Sequence, residues 1–285
     1  MTPASRGLPS SGLGNVEQKL ALLKLGRMHE VVASWIERAA ATQMGYADFL
    51  DELLSEELLA RQEKQLRRRL QLATFPFAAT IEQFDFTLRP ELKRSVILRY
   101  FDSSFVTSAG SLVLIGPSGT GKTHLAIAAG TKMAQLGYSV RFTTAQHLAN
   151  QVLGLIPAAR SQALRPWLSC EVLILDEFGY LPLDPQIGPV LYELIAGRYQ
   201  KGATILTSNK SLPTWGEVIG DSTLMMAVLD RLLHHGEVFY FRGGSYRLRG
   251  KEALALAPTE ATSPTASASS TAEVASSPPV FIPHS

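Results

Sequence analysis

The sequence predicts an α/β fold: a parallel sheet with helices on both faces, preceded by a small all-α module. Three observations predict it. Short apolar runs alternate with helix-period segments between Ser111 and Thr207. A Gly-rich turn follows the first of those runs and opens a helical stretch. The segment before Pro76 carries its apolar residues at three- and four-residue steps.

The chain has 285 residues, 46% hydrophobic and 18% charged, enough for one sizeable core and a small accessory domain. A disulfide-stapled miniprotein and a wholly disordered segment are excluded. The formal net charge of +2 is too slight to identify a nucleic-acid binder from composition, so any such reading must rest on local clusters. The single cysteine, Cys170, forms no internal disulfide and no Cys-based zinc site, which suits a reducing cytoplasmic setting. The N-terminus lacks a basic head followed by an apolar run, and no stretch is long and apolar enough to span a membrane. Neither secretion nor membrane insertion is expected.

Residues 1–14, rich in Pro, Ser and Gly, read as a disordered arm, and 257–285, a Ser/Ala/Thr/Pro tract, as a disordered tail. Between them, 15–75 reads as a helical domain and 76–256 as the α/β domain. Val16, Leu20, Leu23, Val31 and Trp35 mark an amphipathic helix from Val16 to Ala41, with a gap around Arg27. A second helix is expected from Gly45 to about Leu72, its buried stripe made by Tyr46, Phe49, Leu50, Leu53 and Leu54. Its charges are ordered: Asp48, Asp51, Glu52, Glu56 and Glu57 come first, and Arg61, Lys64, Arg67, Arg68 and Arg69 follow. That order complements a helix dipole, or it presents a basic knob to phosphates or an acidic partner. A linker is expected around Phe75 to Arg89.

Beyond it, Leu112–Ile115, Tyr138–Thr143, Val172–Leu175 and Ala203–Thr207 read as strands. Helical periodicity through Leu125, Ala128, Ala129 and Ala134, then over Ala145–Ile156 and Pro189–Tyr199, supplies the crossovers. In such a sheet, ligands sit at the carboxyl ends of the strands.

The chemistry gathers at those ends. Gly116-Pro117-Ser118-Gly119-Thr120-Gly121-Lys122-Thr123 matches the phosphate-binding loop in full. Its glycines let backbone N–H groups turn inward around phosphates at a helix N-terminus. Lys122 is expected to reach the β- and γ-phosphates, and the Thr123 hydroxyl to ligate Mg²⁺. The strand Val172–Leu175 ends in Asp176 and Glu177. The first carboxylate can orient the Mg²⁺ shell, in part through water, and the second can polarise a water for attack on the γ-phosphate. The next strand ends in Thr207-Ser208-Asn209, where the Asn209 amide could bond the γ-phosphate or the attacking water, or cap a following helix. Arg231 and Arg247 offer planar forks of donors for γ-phosphate charge, within the chain or across a subunit boundary. His234-His235 lacks further ligand-type residues at metal spacing.

The stretch GPSGTGKTHLA, the acidic strand VLILDEFGYLP, the segment ATILTSNK with Trp215 soon after, and LDRLLHH followed by GGSYRLRG together resemble the IstB-like family. These are AAA+ ATPase helpers of insertion-sequence transposases, related to the DnaC and DnaI helicase loaders. The resemblance implies that 76–256 is an AAA+ ATPase domain and 15–75 a partner-binding domain that contacts the transposase. It also implies ATP-dependent assembly into a ring or spiral on double-stranded DNA, largely independent of base sequence. By position, Gly116 to Thr123 would be Walker A, Asp176 and Glu177 Walker B, Asn209 sensor one, Arg231 the arginine finger and Arg247 sensor two.

Three alternatives share parts of this pattern. A replicative helicase loader would share nearly all of it. A small-molecule kinase would share the phosphate loop but would need an acceptor pocket and an Arg-rich lid after the nucleotide strands. A nucleotide-binding module without turnover would have no need of a water-polarising acid at Glu177.

Overall fold

A computed structural model describes residues 10–246 apart from 181–183 and 185. Arg247, the tail 257–285 and the first nine residues of the expected arm lie outside the described residues.

The chain opens with three helices, α1 (Ser10–Leu22), α2 (Gly26–Thr42) and α3 (Tyr46–Ala73). Two of these depart from expectation. Helix α1 begins inside the segment read as a floppy arm, and the single helix expected over Val16–Ala41 is broken in two. Lys24 supplies the break: its φ of 56° lies in the left-handed region, which no continuous right-handed helix accommodates. The periodicity gap at Arg27 marks this joint. Leu20, Met28, Val32 and Leu53 are the buried residues of a small cluster that these helices enclose.

The stripe expected on α3 is buried only in part. Leu53 is 3% exposed, but Tyr46 is 96%, Leu50 52% and Leu54 42% exposed. Only the face carrying Phe49 and Leu53 meets α1 and α2, so the other apolar positions turn to solvent. Glu57 acts as a cap from a distance. Its Oε2 accepts from the backbone N–H groups of Arg27 and Met28 at 2.8 and 3.1 Å, at the start of α2, whose own N-cap residue Leu25 has no side chain able to accept. Arg61 donates to the other carboxylate oxygen at 2.8 Å. Part of the acidic half of α3 therefore holds the helical cluster together.

The far end of α3 leaves that cluster and packs on the sheet. Leu66 and Leu70 join the core there, Arg141 Nη1 donates to Leu72 O at 2.8 Å, and Thr74 Oγ1 donates to Phe142 O at 3.2 Å. The expected linker follows as an irregular path with two 3₁₀ turns, Ile81–Gln83 and Phe86–Leu88. Short helices α4 (Arg94–Ile97) and α5 (Ser103–Thr107) then lead to the sheet.

The α/β part runs β1 (Ser111–Ile115), α6 (Lys122–Gln135), β2 (Val140–Thr144), α7 (Ala145–Val152), α8 (Pro157–Ser169), β3 (Val172–Phe178), α9 (Ile187–Arg198), β4 (Ala203–Ser208), α10 (Trp215–Ile219), α11 (Ser222–His234) and β5 (Gly236–Tyr240). The five strands are all parallel, in the order β2-β3-β4-β1-β5. This is the expected architecture, parallel strands flanked by helices and preceded by a helical region.

Alternation along the strands divides the core in two. Leu112 and Leu114 face the layer of α6 and the far end of α3, and Val113 and Ile115 face α7 to α11. Burial on both faces explains why the central strands read as unbroken apolar runs. Because β1 pairs with β4 on one side and β5 on the other, its carboxyl end opens at the point where the strand order reverses.

Candidate nucleotide site

Ile115 ends β1 and the chain turns at once into the Gly116–Thr123 loop, which delivers Lys122 as the first residue of α6. Gly116 has a φ of +153°, and a Cβ there would stand 2.4 Å from Phe241 O, so no other residue fits. Gly121, the N-cap of α6, has a φ of +103° and would carry a Cβ 3.0 Å from the ring of Phe84.

The loop is braced from outside. Tyr246 N donates to Gly119 O at 2.8 Å. Arg89, 6% exposed, donates through Nε to Thr120 O at 2.9 Å and through its terminal nitrogens to Leu88 O, Arg242 O and Gly244 O at 2.9, 3.2 and 3.0 Å. One guanidinium thereby joins the linker, the loop and the segment after β5. Sequence reading missed Arg89, since a lone arginine before Pro90 carries no recognisable motif. Inside the loop, Thr120 Oγ1 donates to Pro117 O at 2.8 Å, and Lys122 Nζ donates to Gly116 O and Pro117 O, each at 2.7 Å.

Two strand ends, those of β3 and β4, bring the acids and the amide to this loop. Thr123 Oγ1 donates to Asp176 Oδ1 and Oδ2 at 2.9 and 3.2 Å, and Thr207 Oγ1 donates to Asp176 Oδ1 as well. Asp176 is 3% exposed, whereas the neighbouring Glu177 is exposed. Glu177 has a φ of +58°, a left-handed conformation that turns it out of the strand, and its N–H donates to Thr207 Oγ1 at 3.1 Å. Asn209 follows β4, and its side-chain Oδ1 is buried without a hydrogen-bond partner among the described residues. A buried, unanswered carbonyl oxygen beside a phosphate-type loop suits a ligand that brings a donor.

The donor set fits a magnesium-bound triphosphate. A hydroxyl and a carboxylate 2.9 Å apart present hard oxygens, and Mg²⁺ takes one or two protein oxygens together with phosphate and water. Among the described residues no group of three or more His, Cys, Asp or Glu is placed to cage a metal ion.

Arg231 is not brought to this cluster. It lies near the end of α11 and lines a cleft with Ser111, Thr204 and His235, at the amino ends of the strands. Its guanidinium stacks 4.8 Å from the Tyr192 ring centroid, and its terminal nitrogens donate to Ala227 O at 2.8 Å and Tyr192 Oη at 3.1 Å. The loop stands at the other end of β1, about 16 Å away at the usual strand rise. His234 bonds Tyr199 Oη through Nδ1 at 2.9 Å, and its ring meets that of His235 edge to face. Arg247 falls outside the described residues.

The profile of the IstB-like ATP binding proteins matches residues 18–254, which contain every element of this site. The chain belongs to that family. It is 40% identical, over 80% of its own length and 92% of the relative's, to the protein named for ATP binding in insertion sequence IS5376 of Geobacillus stearothermophilus. It is 38% identical, over 87% of its length and 94% of the relative's, to the corresponding IS21 protein of Pseudomonas aeruginosa. Among solved structures, a DnaC helicase loader superposes with a TM-score of 0.47 at 19% identity, covering 61% of this chain and 99% of the loader. In this IstB-like chain no described helix is long and apolar enough to cross a membrane.

Proposed function

We propose that this chain is an ATPase that serves an insertion-sequence transposase, hydrolysing ATP while it assembles as an oligomer on double-stranded DNA. The observation that carries the proposal is the meeting of Lys122, Thr123, Asp176 and Glu177 at one sheet edge, in a chain whose relatives are named as insertion-sequence ATP-binding proteins.

In this reading Gly116 to Thr123 cradle the phosphates, and Lys122 exchanges its loop carbonyls for β- and γ-phosphate oxygens. Thr123 would hold Mg²⁺ and Asp176 would face its water shell, and the ion would supply charge neutralisation along the phosphates. Exposed Glu177 orients the attacking water, and Asn209 bonds the γ-phosphate through its amide N–H or accepts from that water at its buried Oδ1. Arg231, remote from its own loop, serves the γ-phosphate of a neighbouring subunit, which makes turnover depend on assembly. Arg247 is assigned to the γ-phosphate held by its own chain's loop. The helical region and the arginines of α3 contact the transposase or the DNA backbone, where binding is blind to base sequence and weakens with salt.

The test is ATPase activity with and without duplex DNA and with purified transposase, on wild type and Glu177→Gln. Stimulation by DNA, loss of turnover in Glu177→Gln and retained ATP binding are expected. Turnover within about twofold of wild type in Glu177→Gln would remove the assignment. Stimulation by a replicative helicase in place of the transposase would transfer the chain to helicase loading.

A further inference from the structure

We propose that Thr207 is the positioning residue for both acids of the site, a single hydroxyl setting Asp176 and Glu177 together. The inference rests on the reading of this site as an ATPase centre. Thr207 is 1% exposed. Its Oγ1 donates to Asp176 Oδ1 and accepts from the Glu177 N–H at 3.1 Å. A hydroxyl has one proton to give and lone pairs to receive, so these two partners fix its orientation: proton toward the carboxylate, lone pair toward the amide.

A break in the ladder explains why such a residue is needed. Strands β3 and β4 pair in register from Val172 with Ala203 to Leu175 with Leu206, and pairing resumes at Phe178 with Ser208. Two residues of β3, Asp176 and Glu177, thus stand opposite Thr207 alone. This is a bulge, uncommon in a parallel pair, and it carries Glu177 into its left-handed conformation. The extra residue would leave an amide without a ladder acceptor. The Thr207 hydroxyl takes that amide, and its proton pins the adjacent carboxylate. The bulge therefore separates two neighbouring acids, one buried against Thr123 and one exposed, and the hydroxyl holds the geometry.

Thr207→Val keeps the volume and the β-branched shape but removes both bonds. Thr207→Ala removes them without adding bulk, and Thr207→Ser keeps the hydroxyl. These variants of the full chain are compared with wild type and Glu177→Gln by melting, affinity for a fluorescent ATP analogue, kcat and KM, and amide exchange of a peptide spanning Glu177. For Thr207→Val or Thr207→Ala, cooperative melting, affinity within about threefold of wild type and kcat lowered about 30-fold or more are expected, equivalent to about 2 kcal/mol. Exchange at Glu177 should quicken in both. Thr207→Ser should restore protection and bring kcat to within about fivefold of wild type.

The proposal fails if a variant lacking the hydroxyl turns over within about twofold of wild type while Glu177→Gln is inactive. It fails equally if Thr207→Ser is as impaired as Thr207→Val, or if neither variant lacking the hydroxyl folds. Should Glu177→Gln itself retain turnover, the ATPase assignment of the site falls first and takes this inference with it.

Discussion

Thr123 and Asp176, 53 positions apart in the chain, are joined by a hydroxyl–carboxylate hydrogen bond of 2.9 Å. One residue comes from the first turn of α6 and the other from the end of β3, so the bond ties the phosphate loop to the acidic strand. Asp176→Asn should weaken binding of Mg–ATP by about tenfold while leaving ATP measured in excess chelator within about twofold, because the lost charge acts through the cation. Parallel nucleotide titrations with and without Mg²⁺ distinguish this from general damage, which would weaken both alike.

Arg231 stands at the opposite end of β1 from its own loop. Arg231→Ala should therefore bind ATP normally yet lose about 1,000-fold or more in assembled turnover, the range associated with an arginine supplied to a γ-phosphate. Mixing it with Lys122→Ala subunits should recover activity, since each mutant supplies what the other lacks. Activity that stays at the sum of the two parents would show that Arg231 acts only within its own fold, against Tyr192.

Arg89 holds carbonyls of the linker, the loop and the segment after β5 with one planar fork. Arg89→Ala should lower stability by roughly 2 to 4 kcal/mol, since hydrogen bonds to a charged group are worth about 1.5 to 3 kcal/mol each and some are replaced by water. Arg89→Lys keeps the charge but cannot span the same acceptors, so it should recover less than half of the loss. Denaturant midpoints at constant m-value provide the comparison.

Glu57 connects charge order to helix structure. Burial opposes its ionisation, yet Arg61 and the Met28 and Arg27 amides outweigh it and hold its carboxyl below the ordinary value. A depressed folded-state pKa contributes stability that is present above the unfolded value, near 4.3, and is lost as pH falls through the folded value. Glu57→Gln should cost roughly 1 to 2 kcal/mol at neutral pH and flatten the decline in stability below about pH 4.3. A wild-type and mutant pair with parallel stability-against-pH curves would mean that Glu57 does not titrate against α2.

What was legible in the sequence follows from which signals are local. The strands around Val113 and Ile174 announce themselves because both faces are buried, and the loop does so because only glycine tolerates the backbone at Gly116. The α3 stripe was misjudged because periodicity identifies an apolar face without saying whether anything covers it: Leu53 met α1 and α2, and Leu50 did not.

By itself the sequence determined that a phosphate loop, two adjacent acids and an amide would end three strands of one parallel sheet, since alternation of strand and helix forces those ends to one edge. It determined nothing about how Asp176 and Glu177 part company. That depends on a two-against-one bulge and a hydroxyl from the neighbouring strand, and a bulge exists only between paired strands. The tertiary structure also decided that Arg231 faces away from its own loop, because α11 must run back along the sheet to start β5 beside the amino end of β1. Arg89 was decided there too. Its partners are backbone carbonyls, which every residue carries and which no side-chain pattern can reveal.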